Sequence, residues 1–490
     1  MASILGLSHL NTNSTSLSKI VSTYGGEFFV YSPGTNTWTG QSFAVSTTEK
    51  VEMEMYLDKL WCVNGNDATR SYDGTTWTVP TDIPIAKYIK RYLSRLYLGY
   101  CTYPAGTIWP SRVFYSDLPE NNVLKWGLES GSDLVQTTNT STITSAGSTF
   151  ITNNIEVGDP FFITSGTNTG TYTIAVVDSE TQLTLVETLP YTQSGCTFWC
   201  GDNWFDVNTD DGDFVNGMGE NSNRLLVFKQ DSLYRYGDGV LSKCEVPTGT
   251  ISNRSVANLR GYTLWFGRDG IYRYNGVSGE IVSNGIVDYI EGIAGSSFSN
   301  IAATTKDNHY YAIMGTLTNS DEDISITNAM VDYDISQDNF HFLSLAHTPK
   351  VFSSFIENGV RNLYFGTDNA KVFQLFSGNA DGGVAIPVSV VTKQYFPSGP
   401  EYLNTFKKIL VFSTNGMGVN IQYKILGNPD SKKDSWTNVG SIHQDYFEIE
   451  LNPSISRGRG IQFRFSESST NEPFVIEGIS VFYVPDEKVK

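Results

Sequence analysis

Along this chain, apolar and aromatic residues alternate with polar ones over short stretches, and Gly, Asn, Asp or Pro breaks the pattern every few residues. A period of two interrupted by turn formers predicts β-strands joined by hairpins. The clearest case is GYTLWFGRDGIYRYNG, residues 261–276. Leu264, Trp265 and Phe266 read as one strand, Asp269-Gly270 as a tight turn, and Ile271 to Tyr274 as the returning strand. Asp-Gly suits a two-residue hairpin turn because both central residues take positive φ, which Gly adopts at no steric cost. No window sustains a helical period; residues 87–97 come nearest, and that run is short. The expectation is an all-β chain.

The stretch recurs. LLVFKQDSLYRY at 225–236 aligns with it without a gap, setting Phe228 on Phe266, Asp231 on Asp269, and Tyr234-Arg235-Tyr236 on Tyr272-Arg273-Tyr274. LYFGTDNAKVFQL at 363–375 is a third copy, with two extra residues after the turn. Strand pairs recurring about every 40 residues predict a β-propeller, a ring of sheets in which each repeat is one blade. Looser copies bring the apolar strand starts to seven: Phe28, Leu60, Leu96, Leu226, Leu264, Tyr310 and Leu363. About seven blades are expected, within the usual range of four to eight.

Two interruptions divide the chain. Between Leu96 and Leu226 the spacing fails, and residues 135–200 turn rich in Thr, Ser, Ile and Val with almost no basic residues. This reads as a small β-barrel or sandwich inserted in a blade loop. Beyond residue 385 the repeat stops, and alternating strands with long polar connections predict an antiparallel β-sandwich. The expected organisation is propeller over 1–134 and 201–384, insert over 135–200, and sandwich over 385–490.

Composition adds limits. The net charge of −18 disfavours binding to phosphate backbones, although an acidic bore would let DNA pass without holding it. Five cysteines, few and odd in number, argue against a disulfide framework and for assembly in a reducing compartment. The N-terminal MASILGLSHLNTN has no basic region, and no apolar run approaches 18 residues, so neither a signal peptide nor a membrane span is expected.

Candidate chemistry is sparse, and no catalytic, cofactor-binding or metal-binding residue is assigned. DVNTDDGD places Asp206, Asn208 and Asp210 at alternate positions, as calcium loops do, but Gly212 falls one place late and position twelve is Gly217 instead of Glu. A plain Asp/Asn turn is the expectation there. SYDGTTW at 71–77 approaches the Asp-box of sialidase-type propellers one residue short, and FVYSPGTNTW at 29–38 resembles a kelch strand and turn. Both are blade-stabilising turns, and a sialidase would also need clustered arginines. Cys196 and Cys200 have no partner motif, and His9, His309, His341, His347 and His443 are scattered, so no zinc site is expected. Arg457 and Arg459 form a compact basic spot, a candidate contact for a partner carboxylate.

Three stretches carry a family resemblance: SRVFYSDLP at 111–119, the run from Trp204 through SLYRYGDG, and the C-terminal KKILVFSTNG to VFYVP. Together they resemble propeller-containing tail structural proteins of tailed bacteriophages, closest in function to the nozzle or packaged-DNA stabilisation proteins of short-tailed phages. The resemblance implies a virion protein without catalytic residues, assembled in the host cytoplasm. It also implies a homo-oligomeric ring of six subunits that closes the distal tail channel. Its implied partners are portal, adaptor or other tail proteins, tail fibres, and genomic DNA in transient passage. Two other readings stay open: a tail-tip protein that binds a receptor or glycan, and a polysaccharide-degrading propeller.

Overall fold

The computed structural model describes residues 3–12, 17–32, 37–104, 106–293, 295–319, 324–357, 360–378, 380–381, 384–385, 387–427, 435–451, 456–468 and 474–488. It is all-β, with 58% of the chain in strands and 4% in helix, so sheet packing builds most of the cores. The chain forms two compact units: Met1–Phe342 with Thr348–Leu375, and Leu343–His347 with Phe376–Lys490.

The first unit contains seven antiparallel sheets that follow one another along the chain. Their first strands are Ile4–Thr12, Glu52–Tyr56, Ile85–Tyr92, Gly217–Asn221, Ala257–Leu259, Ala303–Lys306 and Pro349–Glu357. Among the described residues six of these sheets have four strands and the seventh has three, each an up-and-down meander. The first strand of every sheet lies beside that of the next, and the strand Pro349–Glu357 comes back against Ile4–Thr12. Ile4 and Leu7 pack with Val351 at that closure. Between consecutive sheets sit separate apolar layers: Leu10, Val21 and Phe28 meet Leu60, Cys62 and Tyr72 between sheets one and two. Leu226, Phe228, Trp265 and Tyr272 fill the layer between sheets four and five.

The two best repeats have the same register. Phe228 pairs Leu233 and Val227 pairs Tyr234, just as Phe266 pairs Ile271 and Trp265 pairs Tyr272. All seven strand starts expected from the sequence are 0% exposed, so the repeated residues are core. Six lie on the second strand of a sheet, whereas Phe28 lies on the third strand of sheet one, Glu27–Ser32. The turn after Phe266 also departs from expectation. Gly267 N–H donates to Gly270 O at 2.8 Å, giving a four-residue loop, and Gly270 alone in it has positive φ, at 148°.

Trp265 shows what this packing is worth. Its ring lies 5.2 Å from Phe228 and 5.8 Å from Tyr272, and its Nε1–H donates to Gly249 O at 2.8 Å. Trp265→Ala removes a fully buried ring and leaves that carbonyl without its donor. A loss of about 3–5 kcal/mol in urea-induced unfolding of the first unit is expected.

Sheet three is interrupted. Its third strand Ile108–Tyr115 pairs with Trp204–Asp206, and the intervening chain forms a closed six-stranded barrel from Glu129–Gln136 to Gln193–Cys200. The barrel therefore begins at Glu129, ahead of the expected boundary at 135. Leu134, Phe150, Phe161, Ile174, Leu183 and Phe198 fill it. Trp199 faces the other way, stacking on Phe162 at 4.1 Å and joining the core shared by sheets two and three.

In the second unit, two antiparallel sheets share one core. Ile421, Tyr423 and Phe463 come from the sheet that contains Asn420–Leu426 and Gly460–Glu467. Phe406, Ile409 and Val411 come from the facing sheet, built on Tyr402–Thr414.

Candidate functional site

Where first strands approach their neighbours most closely, glycine stands. A side chain at Gly6 would meet Val51 O at 2.9 Å, and one at Gly219 would meet the Val256 side chain at 2.9 Å. Inside these strands lies a cavity of ≈190 Å³ whose polar lining is Glu52, Glu54, Lys90, Asn253 and Arg254. Arg254 stands on the single 3₁₀ turn Asn253–Ser255 that leads into sheet five. Its Nε donates to Glu52 Oε1 at 2.9 Å, and its Nη2 donates to Leu5 O at 2.5 Å and Val51 O at 3.0 Å. Asn253 Nδ2 holds the other Glu52 oxygen at 3.1 Å, and Asn253 Oδ1 accepts Met218 N–H. One buried guanidinium thus ties sheet five to the first strands of sheets one and two. Lys90 and Glu54 pair at 3.4 Å on the same lining.

The acidic loop carries its own cation. Asp206 binds Arg112 through both oxygens, at 2.7 and 2.9 Å, and that guanidinium is sandwiched between Trp109 and Trp204. Lys229, fully buried, sends its Nζ to Asn208 O at 2.7 Å, Asp211 Oδ1 at 2.5 Å and Asp213 O at 3.2 Å. An ammonium sits where a calcium loop would place its metal. Asp211, not Asp210, is the ligating carboxylate. Burial alone would raise its pKa, but Lys229, the Asp213 amide and Asn208 hold it below the ordinary value.

The turn in 71–77 stabilises its sheet. Asp73 Oδ1 accepts Thr75 N–H at 2.8 Å and Thr76 N–H at 2.7 Å, and Tyr72 O–H donates to Gly74 O at 2.9 Å. Sequence reading missed its twin in sheet five, where Asn275 Oδ1 accepts Val277 and Ser278 N–H and Tyr274 O–H donates to Gly276 O. The shared signal is Tyr-Asp/Asn-Gly-x-Thr/Ser. The turn of 29–38, over residues 33–36, lies outside the described residues.

The remaining candidates do not converge. All five cysteines are buried and unpaired, and burial raises the pKa of Cys62, Cys101, Cys200 and Cys244. His309 pairs with Asp332 at 2.7 Å and His443 stands edge-on to Phe447. Among the described residues, no group of three or more His, Cys, Asp and Glu is arranged to hold a metal. Arg457 is engaged by Asp486 at 3.0 Å, and Arg459 packs its side chain beside Gly427.

Where the barrel joins sheet three, sequence reading missed three carboxylates, Glu129 and Asp159 buried and Asp117 half-buried. Asp117 accepts from Asn203 and Asn154, Glu129 from Asn153 and the Thr149 amide, and Asp159 from the Glu156 amide. Burial pushes all three up, and Asp159, also repelled by Asp202, Glu156 and Asp117, reaches about 6. A raised carboxyl favours the protonated fold. Its contribution is therefore full below the unfolded value near 3.9 and is lost as pH rises towards 6. Asp159→Asn is expected to raise Tm at about pH 7.5 and leave it unchanged at about pH 4. An equal effect at both pH values would remove the titration argument.

No protein-family model matches the chain, and no curated protein shows significant similarity to it.

Proposed function

We propose that the first unit is a seven-bladed β-propeller and that the protein is a structural component of a bacteriophage tail. In this reading its copies form a ring, of six subunits, that closes the distal tail channel, retains packaged DNA and passes it during ejection. Portal, adaptor and other tail proteins are its neighbours, with tail fibres attached at its periphery. It is a scaffold and not an enzyme.

The observation that carries this reading is the cyclic succession of seven sheets whose repeated residues are all 0% exposed. The repeat is consumed in building the scaffold, which leaves the barrel and the second unit to meet other molecules. The second unit has the surface for it. Its edge strand Val388–Val391 is exposed along its length, and Phe412, Tyr446, Phe482 and Val484 are 38–49% exposed. Unpaired apolar edges and faces of this kind are where other chains add. The charge of −18 suits a bore that conducts DNA without binding it.

Electron microscopy of the purified protein and of particles carrying it tests the proposal. Rings with a central pore at the distal end of the tail are expected; monomers at every concentration, or trimeric spikes, overturn it. A second reading, a receptor- or glycan-binding tail-tip protein, is favoured by Val157, Val186 and Tyr191, which are 53–66% exposed on the barrel and its loops. It predicts that the protein binds host envelope material and that deleting the exposed loop residues abolishes the binding.

A further inference from the structure

One turn of the barrel, residues 149–156, is held by carboxylates along its length. Asn153 Nδ2 donates at once to Glu129 Oε2 at 2.8 Å and to Asp82 Oδ2 at 3.2 Å. Its neighbour Asn154 repeats the device, its Nδ2 donating to Asp117 Oδ2 and to Glu156 Oε1, both at 3.2 Å. Each amide therefore joins two acids, one from the barrel and one from the chain outside it. Glu129 opens the first strand of the barrel and Glu156 stands in the turn. Asp82 lies in the loop between sheets two and three, and Asp117 just after the third strand of sheet three. Little positive charge offsets these acids. Among the described residues Arg95, 3.9 Å from Asp117, is the one cation in ion-pair range of them, while Asp159 and Asp202 add negative charge beside the turn. The Tyr103 hydroxyl and the Cys200 thiol, which feel Asp82 and Glu129, stay neutral because burial pushes both up.

A neutral amide cannot cancel the repulsion between two carboxylates drawn within reach of one nitrogen. A proton on one acid of each pair removes that repulsion and keeps the hydrogen bond, because a carboxylic acid still accepts through its carbonyl oxygen. We propose that this turn is a pH-dependent clasp, closed in mild acid and loosened at neutral pH, which sets how firmly the barrel is held against sheets two and three. The titration runs the same way. Burial above all pushes Glu129 and Asp117 up, with Asp82 adding to the rise in Glu129 and Glu156 to that in Asp117. Acids raised in the folded state stabilise it fully below their unfolded values of about 4 and lose that contribution as pH climbs through the raised ones. Glu180, which accepts the Ile151 and Thr152 amides, is held below its ordinary value by Thr152, with Lys125 nearby, so its grip on the turn does not change in this window. With the clasp open, the barrel keeps its two chain connections to sheet three and the packing of Trp199. The device does not depend on the tail reading.

Amide hydrogen exchange of the full-length protein, corrected for the intrinsic pH dependence of each amide, tests the clasp. Residues 149–156 are expected to be about tenfold or more better protected at about pH 5 than at about pH 7.5, with the strands of sheets four and five unchanged. Glu129→Gln with Asp117→Asn keeps an acceptor for each asparagine and removes one charge from each pair. It is expected to protect the turn at about pH 7.5 nearly as well as the unaltered protein does at about pH 5. Asp82→Asn relieves the first pair from a half-buried position, so a folding defect in the double variant does not decide the matter. Asn153→Ala is expected to lower protection of the turn at both pH values. Equal protection of 149–156 at both pH values, or a pH dependence undiminished in the double variant and in Asp82→Asn, overturns the clasp. So does a neutral-pH loss of protection spread evenly over the first unit, which would assign the effect to global stability.

Discussion

Lys229→Met is expected to destabilise the first unit by about 3–5 kcal/mol, read as a shift of the urea midpoint at unchanged slope. The stem of methionine fills much the same volume, so the loss measures the ammonium. That ammonium is 0% exposed and satisfies Asp211 together with the carbonyls of Asn208 and Asp213. Without it a carboxylate and two carbonyls lose their donor, and removing one partner of a buried pair costs far more than the pair contributes. Asp213 adds to the dependence: its carboxylate accepts the amides of Gln230 and Asp231, so the acidic loop and the turn of sheet four are stapled together. The same geometry predicts that a chelator leaves the melting curve of the unaltered protein where it is. A fall in Tm with chelator would show that a metal, and not Lys229, neutralises the loop. Acid acts in the opposite sense to Asp159. Asp211 is held below its ordinary value, so its contribution is present at neutral pH and is lost as pH falls through the lowered value.

The parts of the fold legible in the sequence are those where one residue type does the same task in every copy. The second and third strands of sheets four and five are buried on both sides between neighbouring sheets, so Phe228, Phe266, Tyr234 and Tyr272 sit in like surroundings and leave a repeat. The first strands left none. GMGEN at Gly217–Asn221 and ATTK at Ala303–Lys306 are too short to show a period, and in the former the glycines stand where a side chain would collide with Asn253 or Val256. Hence the strands that surround the cavity, and Arg254 within it, had no sequence signal. The fourth strand of sheet three was hidden for a different reason: Trp204–Asp206 reaches its partner only after the whole barrel, and sequence separation conceals the pairing. The acidic loop was recognised as a turn, but the lysine that fills it lies in the next sheet and is fixed by the fold alone. Arg268, beside the turn residue Asp269, pairs with Asp231 at 3.2 Å, both well exposed, a contact of small energetic weight.

Arg254→Met is expected to cost about 3–5 kcal/mol as well, and to spend it on closure of the seven sheets. The guanidinium, 8% exposed, is bound at once to Glu52 and to the Leu5 and Val51 carbonyls, so it connects sheet five with the strands where the circuit of sheets begins. Ile4–Thr12 also meets Pro349–Glu357 directly, through a contact in which Ile4, Leu7 and Val351 are the buried members. Losing Arg254 should therefore speed amide hydrogen exchange first in Ile4–Thr12 and Glu52–Tyr56, ahead of sheets four and five. A double-mutant cycle isolates the charge. Glu52→Gln in the Arg254→Met background removes the stranded carboxylate and should recover part of the loss, giving a coupling of about 1–3 kcal/mol. If the single variant costs under about 0.5 kcal/mol, or if exchange rises evenly through all seven sheets, the apolar layers between neighbouring sheets hold the circuit without the clamp. The predicted order of opening separates the two cases: a clamp fails where Arg254 reaches across, whereas uniform layers fail everywhere together.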